Sequence, residues 1–150
     1  MSHTVRVEDV QSQPLAVVRR RASARELSTV VPAACGHVWT LVRAHNVDRP
    51  GRHVAVYLDG VINLEVGVEV TNAFVGTDDV VRSATPGGRV ATTVHIGLYG
   101  GLGRAHAAIL AWCTEHGHAL AGPSWEIYGH WTDDPAQLRT DVFYLLKASR

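Results

Sequence analysis

The chain repeats itself, and that repetition limits the folds open to it more than any other feature. Strand-like alternation of apolar and polar residues occupies positions 4–10, 15–22, 53–59 and 62–71. A helical pattern fills 25–46, with Ser23 placed to cap it and Pro32 predicting a break or kink near its start. The second half follows the same plan: strand 89–98, helix 102–116, strand 125–131, strand 140–147. The order is β-α-β-β twice, with one extra strand in front. At an offset of 71 positions His45 falls on His116, Gly51 on Gly122 and Tyr57 on Tyr128. Past the loop holding Asp133, Asp134 and Pro135 the offset becomes 76, and Val66 falls on Val142 and Val70 on Leu146. Turn-rich stretches at 76–79 and 83–88 place the connection between the halves there.

These patterns predict an α+β fold in one domain over 1–150, with repeat one at about 4–75 and repeat two at about 89–147. The repeats would be related by a pseudo-twofold axis in an antiparallel sheet, with two helices on one face and a ligand cleft on the other. Alternation assigns the faces. Val54, Val56 and Leu58, with Trp125 and Ile127, form an apolar side expected to lie under the helices. Opposite them fall His53, Ala55, Tyr57, Glu126, Tyr128 and His130. In 62–71, Leu64, Val66, Val68 and Val70 form the packing side, leaving Asn63, Glu65, Gly67 and Glu69 opposite. Aromatic rings beside one acid and small residues such as Ala55 and Gly67 suit a cavity better than a wet surface.

Composition removes several alternatives. Of 150 residues, 46% are hydrophobic and 19% charged, values of a folded globular chain. Fourteen Lys+Arg balance fourteen Asp+Glu, which counts against direct nucleic-acid binding. No stretch approaches the ~20 apolar residues of a membrane helix, and residues 1–13, carrying Arg6, Glu8 and Asp9, do not form a signal peptide. Isolated Cys35 and Cys113 suit a reducing cytoplasm. The nine histidines show no metal-ligand spacing with one another or with the cysteines, so neither a metal nor a cofactor is expected. Gly100, Gly101 and Gly103 lack the Lys-Ser/Thr of a phosphate loop, and no G-x-S-x-G occurs.

Glu126 is the most informative position. Mid-strand, between Trp125 and Ile127, both β propensity and desolvation disfavour it. On the wall of an aromatic cavity its pKa should rise, and it would serve either to pair with a cationic ligand or to act as a general acid or base. Tyr128 shares its face and is placed to offer a hydroxyl. Tyr57, Tyr99, Trp39 and Trp131 are further candidates for stacking on a planar or cationic guest. Trp112 and Trp39 lie in helices, where an apolar stripe is mostly core.

Read together, His95-x-Gly-x-Tyr99-x-Gly-Leu-Gly103, a helix, Gly122-Pro-Ser-Trp-Glu-Ile-Tyr128, Asp134-Pro135 and Thr140-Asp-Val-Phe-Tyr-Leu-Leu146 resemble the GyrI-like small-molecule-binding domain family, which includes the effector-binding domains of AraC-type and MerR-type multidrug-sensing regulators. Leu64-Glu-Val-Gly-Val-Glu-Val70 is similar to the family's first-repeat strand. The resemblance implies two β-α-β-β repeats with a ligand cleft between them, and it places the family's pocket glutamate on Glu126. No helix-turn-helix pattern stands before the first strand, so the implied role is that of a stand-alone member, cytoplasmic, sensing or sequestering aromatic and often cationic small molecules. Its ligand-binding residues would be Glu126, Tyr57, Tyr99, Trp39, Trp131 and Tyr128. An alternative implied by the same family is a hydrolase opening cyclopropane-bearing or similar electrophiles, with Glu126 and Tyr128 catalytic. A third is a gyrase-inhibitor-like protein-interaction module. Ala55, at the position symmetric to Glu126, makes the cleft chemically lopsided. The expected partner is a lipophilic aromatic or cationic small molecule, and either a monomer or a homodimer fits.

Overall fold

The computed structural model describes residues 3–44, 50–59, 63–71, 74–76, 79–130 and 132–148. Within them lie β1 (Arg6–Val10), β2 (Pro14–Arg21), α1 (Leu27–Ala44), β3 (His53–Tyr57), β4 (Asn63–Glu69), β5 (Val81–Ala84), β6 (Gly88–Ile96), α2 (Leu102–His116), β7 (Leu120–Tyr128) and β8 (Arg139–Leu146). The strands form one antiparallel sheet in the order β1-β6-β8-β7-β3-β4-β2-β5. Read outward from its centre, the order is mirrored: β3, β4, β2 on one side and β7, β8, β6 on the other. One feature differs from expectation. Val81–Ala84, read as part of the turn-rich connection, is a strand, so each half carries a leading strand and the front one is not unpaired in kind. These four residues alternate with a charge and sit between glycines and prolines, which hides a short edge strand from pattern reading.

Register gives the symmetry its centre. β3 and β7 pair with Ala55 opposite Glu126, Tyr57 opposite Ser124 and His53 opposite Tyr128. Because Ala55 and Glu126 are also related by the internal offset, the pseudo-dyad passes between them. The helices obey the same offset. The buried stripe of α1, Ala34, Val38 and Val42, corresponds position by position to Ala105, Ile109 and Cys113 of α2. Both stripes recur every fourth residue, the spacing that keeps one helix face on the sheet. α1 runs unbroken through Pro32. The carbonyl that Pro32 leaves without a donor belongs to Ser28, on the exposed first turn, where solvent can reach it.

Two short links decide the shape of the sheet. β1 joins β2, and β5 joins β6, through three residues each, 11–13 and 85–87. In the strand order each link crosses six spacings, about 29 Å in a flat sheet, whereas four Cα–Cα steps span at most about 15 Å. The sheet therefore curls until its two ends meet. The links touch where they cross: Ser12 Oγ donates to the Thr85 carbonyl at 2.6 Å, and the Gln13 amide donates to Thr85 Oγ1 at 2.9 Å.

The interior of the curl holds Leu15, Val17, Val54, Val56, Val90, Trp125 and Ile127, with Val10, Val81, Phe143 and Leu145 around them. Trp125 stacks on Phe143 at 5.2 Å. Both helices lie on the other face. α1 covers Ala16, Val18, Ala55, Leu64, Val66 and Val68, and α2 covers Ala91, Val142 and Leu146. This corrects the expected assignment of faces for the two central strands. Val54, Val56, Trp125 and Ile127 fill the inside of the curl, and the side carrying Ala55, Tyr57, Glu126 and Tyr128 is the helix side. Helices and candidate cleft share one face. Gly67 is likewise on the inside, where a Cβ would fall 1.7 Å from the Ala16 carbonyl oxygen, so it serves a close backbone approach rather than a cavity.

Candidate functional site

α1 packs toward β4 and β2, and α2 toward β6 and β8, which leaves β3 and β7 as the floor between the helices. Three register rows cross that floor. One runs Tyr57, Ser124, Tyr144, Ala91; the next Ala55, Glu126, Val142, Thr93; the third His53, Tyr128, Thr140, His95. Glu126 lies at the middle, 4% exposed.

Its carboxylate is held by three donors. Tyr57 Oη donates to Oε1 at 2.8 Å and Tyr128 Oη donates to the same oxygen at 2.5 Å. His106, in the second turn of α2, places Nε2 at 2.6 Å from Oε2. The opposite ring nitrogen, Nδ1, is 2.7 Å from the hydroxyl of Tyr144. A continuous chain thus runs from Tyr144 through His106 and Glu126 to the two tyrosines related by the internal offset. The imidazole meets Tyr57 and Tyr144 edge-on, at 6.5 Å and 5.5 Å.

The electrostatics differ from the expectation. Burial pushes the Glu126 carboxyl upward, but the hydrogen bond and charge of His106, with the Tyr128 and Tyr57 hydroxyls, outweigh it and hold the pKa below the ordinary glutamate value. The acid is a stabilised anion and not a raised general acid. Burial, the neighbouring carboxylate and the hydrogen bonds push Tyr57 and Tyr128 up, and both remain neutral donors. Tyr144 is raised for the same first two reasons, burial before charge.

The remaining candidates surround this centre unequally. Tyr99, in a 3-10 turn at Tyr99–Gly101, meets Tyr128 edge-on at 5.6 Å and is 41% exposed. Trp39 extends from α1 onto His53 at 5.5 Å, one register row from Glu126, and its body packs on the core beneath α1. Cys35, also on α1, is half-buried, and burial pushes its thiol up to about 12. Trp131 lies outside the described residues. His106 and Tyr144 were missed by pattern reading. A signal existed for each: the offset of 71 sets His106 opposite Cys35, and alternation in the last strand puts Tyr144 on the side of Val142.

Among the described residues, two buried side-chain atoms have no hydrogen-bond partner, His53 Nδ1 and Thr140 Oγ1. Both belong to the Tyr128 row, one on either side of it. An unmet buried polar atom costs about 1–3 kcal/mol. A cavity of about 290 Å³ lined by Arg19, Arg20, Arg21, Leu58, Asn63 and Leu64 lies at the end of β2 and includes none of the partners of Glu126. The space around Glu126 is occupied by its own aromatic and imidazole neighbours. Among the described residues, no three His, Cys, Asp or Glu side chains gather as a metal site would require. No helix of the described residues is long and apolar enough to cross a membrane.

The fold recurs in solved structures. The C-terminal domain of EcmrR superposes with a TM-score of 0.76 at 16% identity, covering 99% of this chain and 100% of that one. SAV2435, solved bound to tetraphenylphosphonium, gives 0.68 at 8% identity over 98% of this chain and 94% of that one. A hydrolase from Listeria innocua gives 0.61 at 12% identity, over 95% and 91%. At these identities the likeness shows the architecture alone. No curated protein matches the sequence. The model of the GyrI-like small molecule binding domain matches residues 3–147, and the chain belongs to that family.

Proposed function

We propose that this chain binds lipophilic aromatic cations between α1 and α2, with Glu126 as the charge receptor. The observation that carries the reading is an ionised carboxylate, 4% exposed, held at the symmetry centre by three donors and ringed by tyrosines. An anion away from bulk water attracts a cation across a low-dielectric gap, and the ring faces add cation–π attraction. Affinity comes from apolar and stacking contacts with Tyr57, Tyr99, Tyr128 and Trp39, and the carboxylate sets charge preference. The tetraphenylphosphonium held by SAV2435 is a ligand of this class.

The hydrogen bonds favour reception over catalysis. A carboxylate offers about four lone-pair positions, and three are taken. What the arrangement preserves is negative charge, which a quaternary cation uses without needing a free lone pair. Water activation would need the basicity that the three donors suppress. With Glu126 nearly closed off, the guest enters by displacing neighbouring side chains, and Tyr99 at the exposed rim is placed to move first.

Calorimetric titration with tetraphenylphosphonium and with neutral triphenylphosphine oxide tests the reading. Glu126→Gln should weaken the cation by about 1–3 kcal/mol and the neutral compound far less. Equal losses for both would reduce Glu126 to a support of the pocket and overturn its role as receptor.

A further inference from the structure

We infer that His106 is the charge-specificity residue of the site: it is a built-in counter-ion for Glu126 whose proton competes with the cationic ligand, so that cation binding at acidic pH is accompanied by proton release. The inference rests on the functional reading above and adds its regulation.

The geometry supplies the competition. Nε2 lies 2.6 Å from Glu126 Oε2, so a proton sits on Nε2 whenever the acid is ionised. The second proton is the variable one. With Nδ1 bare, the imidazole is neutral, Nδ1 accepts from the Tyr144 hydroxyl, and the site carries the net charge of Glu126. With Nδ1 protonated, that N–H donates to the same hydroxyl oxygen, and the site is neutral overall. A hydroxyl fills either role by rotation, so the 2.7 Å contact survives both states and protonation requires no rearrangement. Histidine is the side chain that ordinarily changes charge between pH 5 and 8.

The groups around the imidazole do not mask this exchange. β7 contributes Glu126 and Tyr128, β3 contributes Tyr57, and β8 contributes Tyr144. From the turn before α2, Tyr99 stands against Tyr128. On β6, His95 is turned away, Nε2 to the Leu98 carbonyl at 2.9 Å and Nδ1 to His3 at 3.1 Å. His53 on β3 stands one row away under Trp39, and burial lowers its pKa, which keeps it neutral to more acidic pH. Glu126 is held below the ordinary glutamate range, so the variable charge is not its own. The position is also specific to the second half, since the equivalent residue on α1 is Cys35, which burial holds as a neutral thiol.

Linkage fixes the sign. A cation that excludes the proton is excluded by it to the same degree, so acid weakens cation binding and leaves neutral binding alone. Unit charges a few ångströms apart at a partly buried site are worth about ten-fold to a hundred-fold in affinity.

The test is calorimetry of the full chain with tetraphenylphosphonium, whose charge does not titrate, from about pH 5.5 to about pH 8.5 in two buffers of different protonation heat. The expected result is a dissociation constant flat at the alkaline end and rising toward the acid end by about ten-fold to a hundred-fold in all, with roughly half to four-fifths of a proton released per ligand where the rise is steepest. Triphenylphosphine oxide should show neither effect. His106→Gln, which keeps a donor toward Glu126 but cannot titrate, should lose the slope whatever its absolute affinity. Cation binding at alkaline pH with no slope and no proton release overturns the inference while sparing the functional reading. A slope that survives in His106→Gln overturns it too, assigning the proton elsewhere. Absence of cation binding at about pH 8.5 overturns the functional reading and this inference with it. Should the variant fail to fold, nitrogen-15 NMR of the histidine rings of the unaltered chain decides: loss of the Nδ1 proton of His106 on adding the cation at acidic pH supports the inference, and His106 signals that the cation leaves unmoved overturn it.

Discussion

The two halves present the same backbone to the centre of the molecule and opposite chemistry. In the second half, Tyr144, His106 and Glu126 form a hydrogen-bonded chain. At the equivalent positions the first half has Val68, Cys35 and Ala55, a valine and an alanine buried without a polar contact and a thiol kept neutral. Tyr57 and Tyr128 alone are common to both, and both donate to the same oxygen of the one acid. The frame is symmetric, and the polar network at its centre comes from breaking that symmetry. A symmetric pair of acids at Cβ distances of about 5 Å would repel across the dyad, whereas one acid shared by two tyrosines is satisfied.

Restoring the symmetry is the harshest way to break this arrangement. Ala55→Glu places a second carboxyl opposite Glu126 where the native side chain is fully buried. It should cost about 3–5 kcal/mol, the range for an uncompensated buried charge. Chemical denaturation should show the loss shrinking on acidification as the two acids come to share a proton. A variant as stable as the parent at neutral pH would mean the centre is wet.

Removing the asymmetric charge should do less. Glu126→Gln keeps the shape and loses the charge that three donors face, at about 2–3 kcal/mol. The sign of its pH dependence follows from a folded pKa below the ordinary value. Glu126 contributes stability that is complete above the unfolded carboxyl value and is lost as pH falls through the lower folded one. The gap between parent and variant in urea should therefore narrow below about pH 4.5. A gap that widens in acid would place the folded pKa above the ordinary range.

The shared tyrosines sharpen the comparison further. Tyr57→Phe and Tyr128→Phe should each cost about 1–1.5 kcal/mol, because either hydroxyl leaves the other on Oε1. Together they should cost more than the sum, since the second removal leaves that oxygen with no donor, and a double-mutant cycle reads the difference. Strict additivity would show that the two do not share an acceptor. Thr140→Val should be the mildest change. Its hydroxyl has no partner, so an isosteric methyl should be neutral or stabilising by up to about 1 kcal/mol in thermal unfolding.

Much of this frame was legible before any coordinates. The offset relating Tyr57 to Tyr128 is the offset relating Ala34, Val38 and Val42 to Ala105, Ile109 and Cys113, so the repeat read from scattered identities is the repeat of the packing. α2 has the bounds the pattern predicts. Glu126 stood out because a carboxylate between Trp125 and Ile127 demands a reason. The faces of β3 and β7 were not legible. Both faces of these central strands are apolar enough to be buried, one by the helices and one by the curl, and period-two alternation does not say which cover belongs to which. The curl itself comes from two three-residue links whose meaning depends on strand order. His106 was hidden for a related reason. A histidine near the start of a helix rich in alanine looks like a solvated position until a carboxylate is found across the groove. Without it, desolvation alone points the pKa of Glu126 upward, and with it the direction reverses.

The central claim is that Glu126 is an anion held for a cationic guest. Carbon-13 NMR of the Glu126 carboxyl, followed through acid titration with and without tetraphenylphosphonium, tests it at the atom concerned. The account predicts titration below the ordinary glutamate value in the free protein and lower still with the cation bound. A carboxyl that titrates above that value, or one whose titration the cation leaves unmoved, would contradict it.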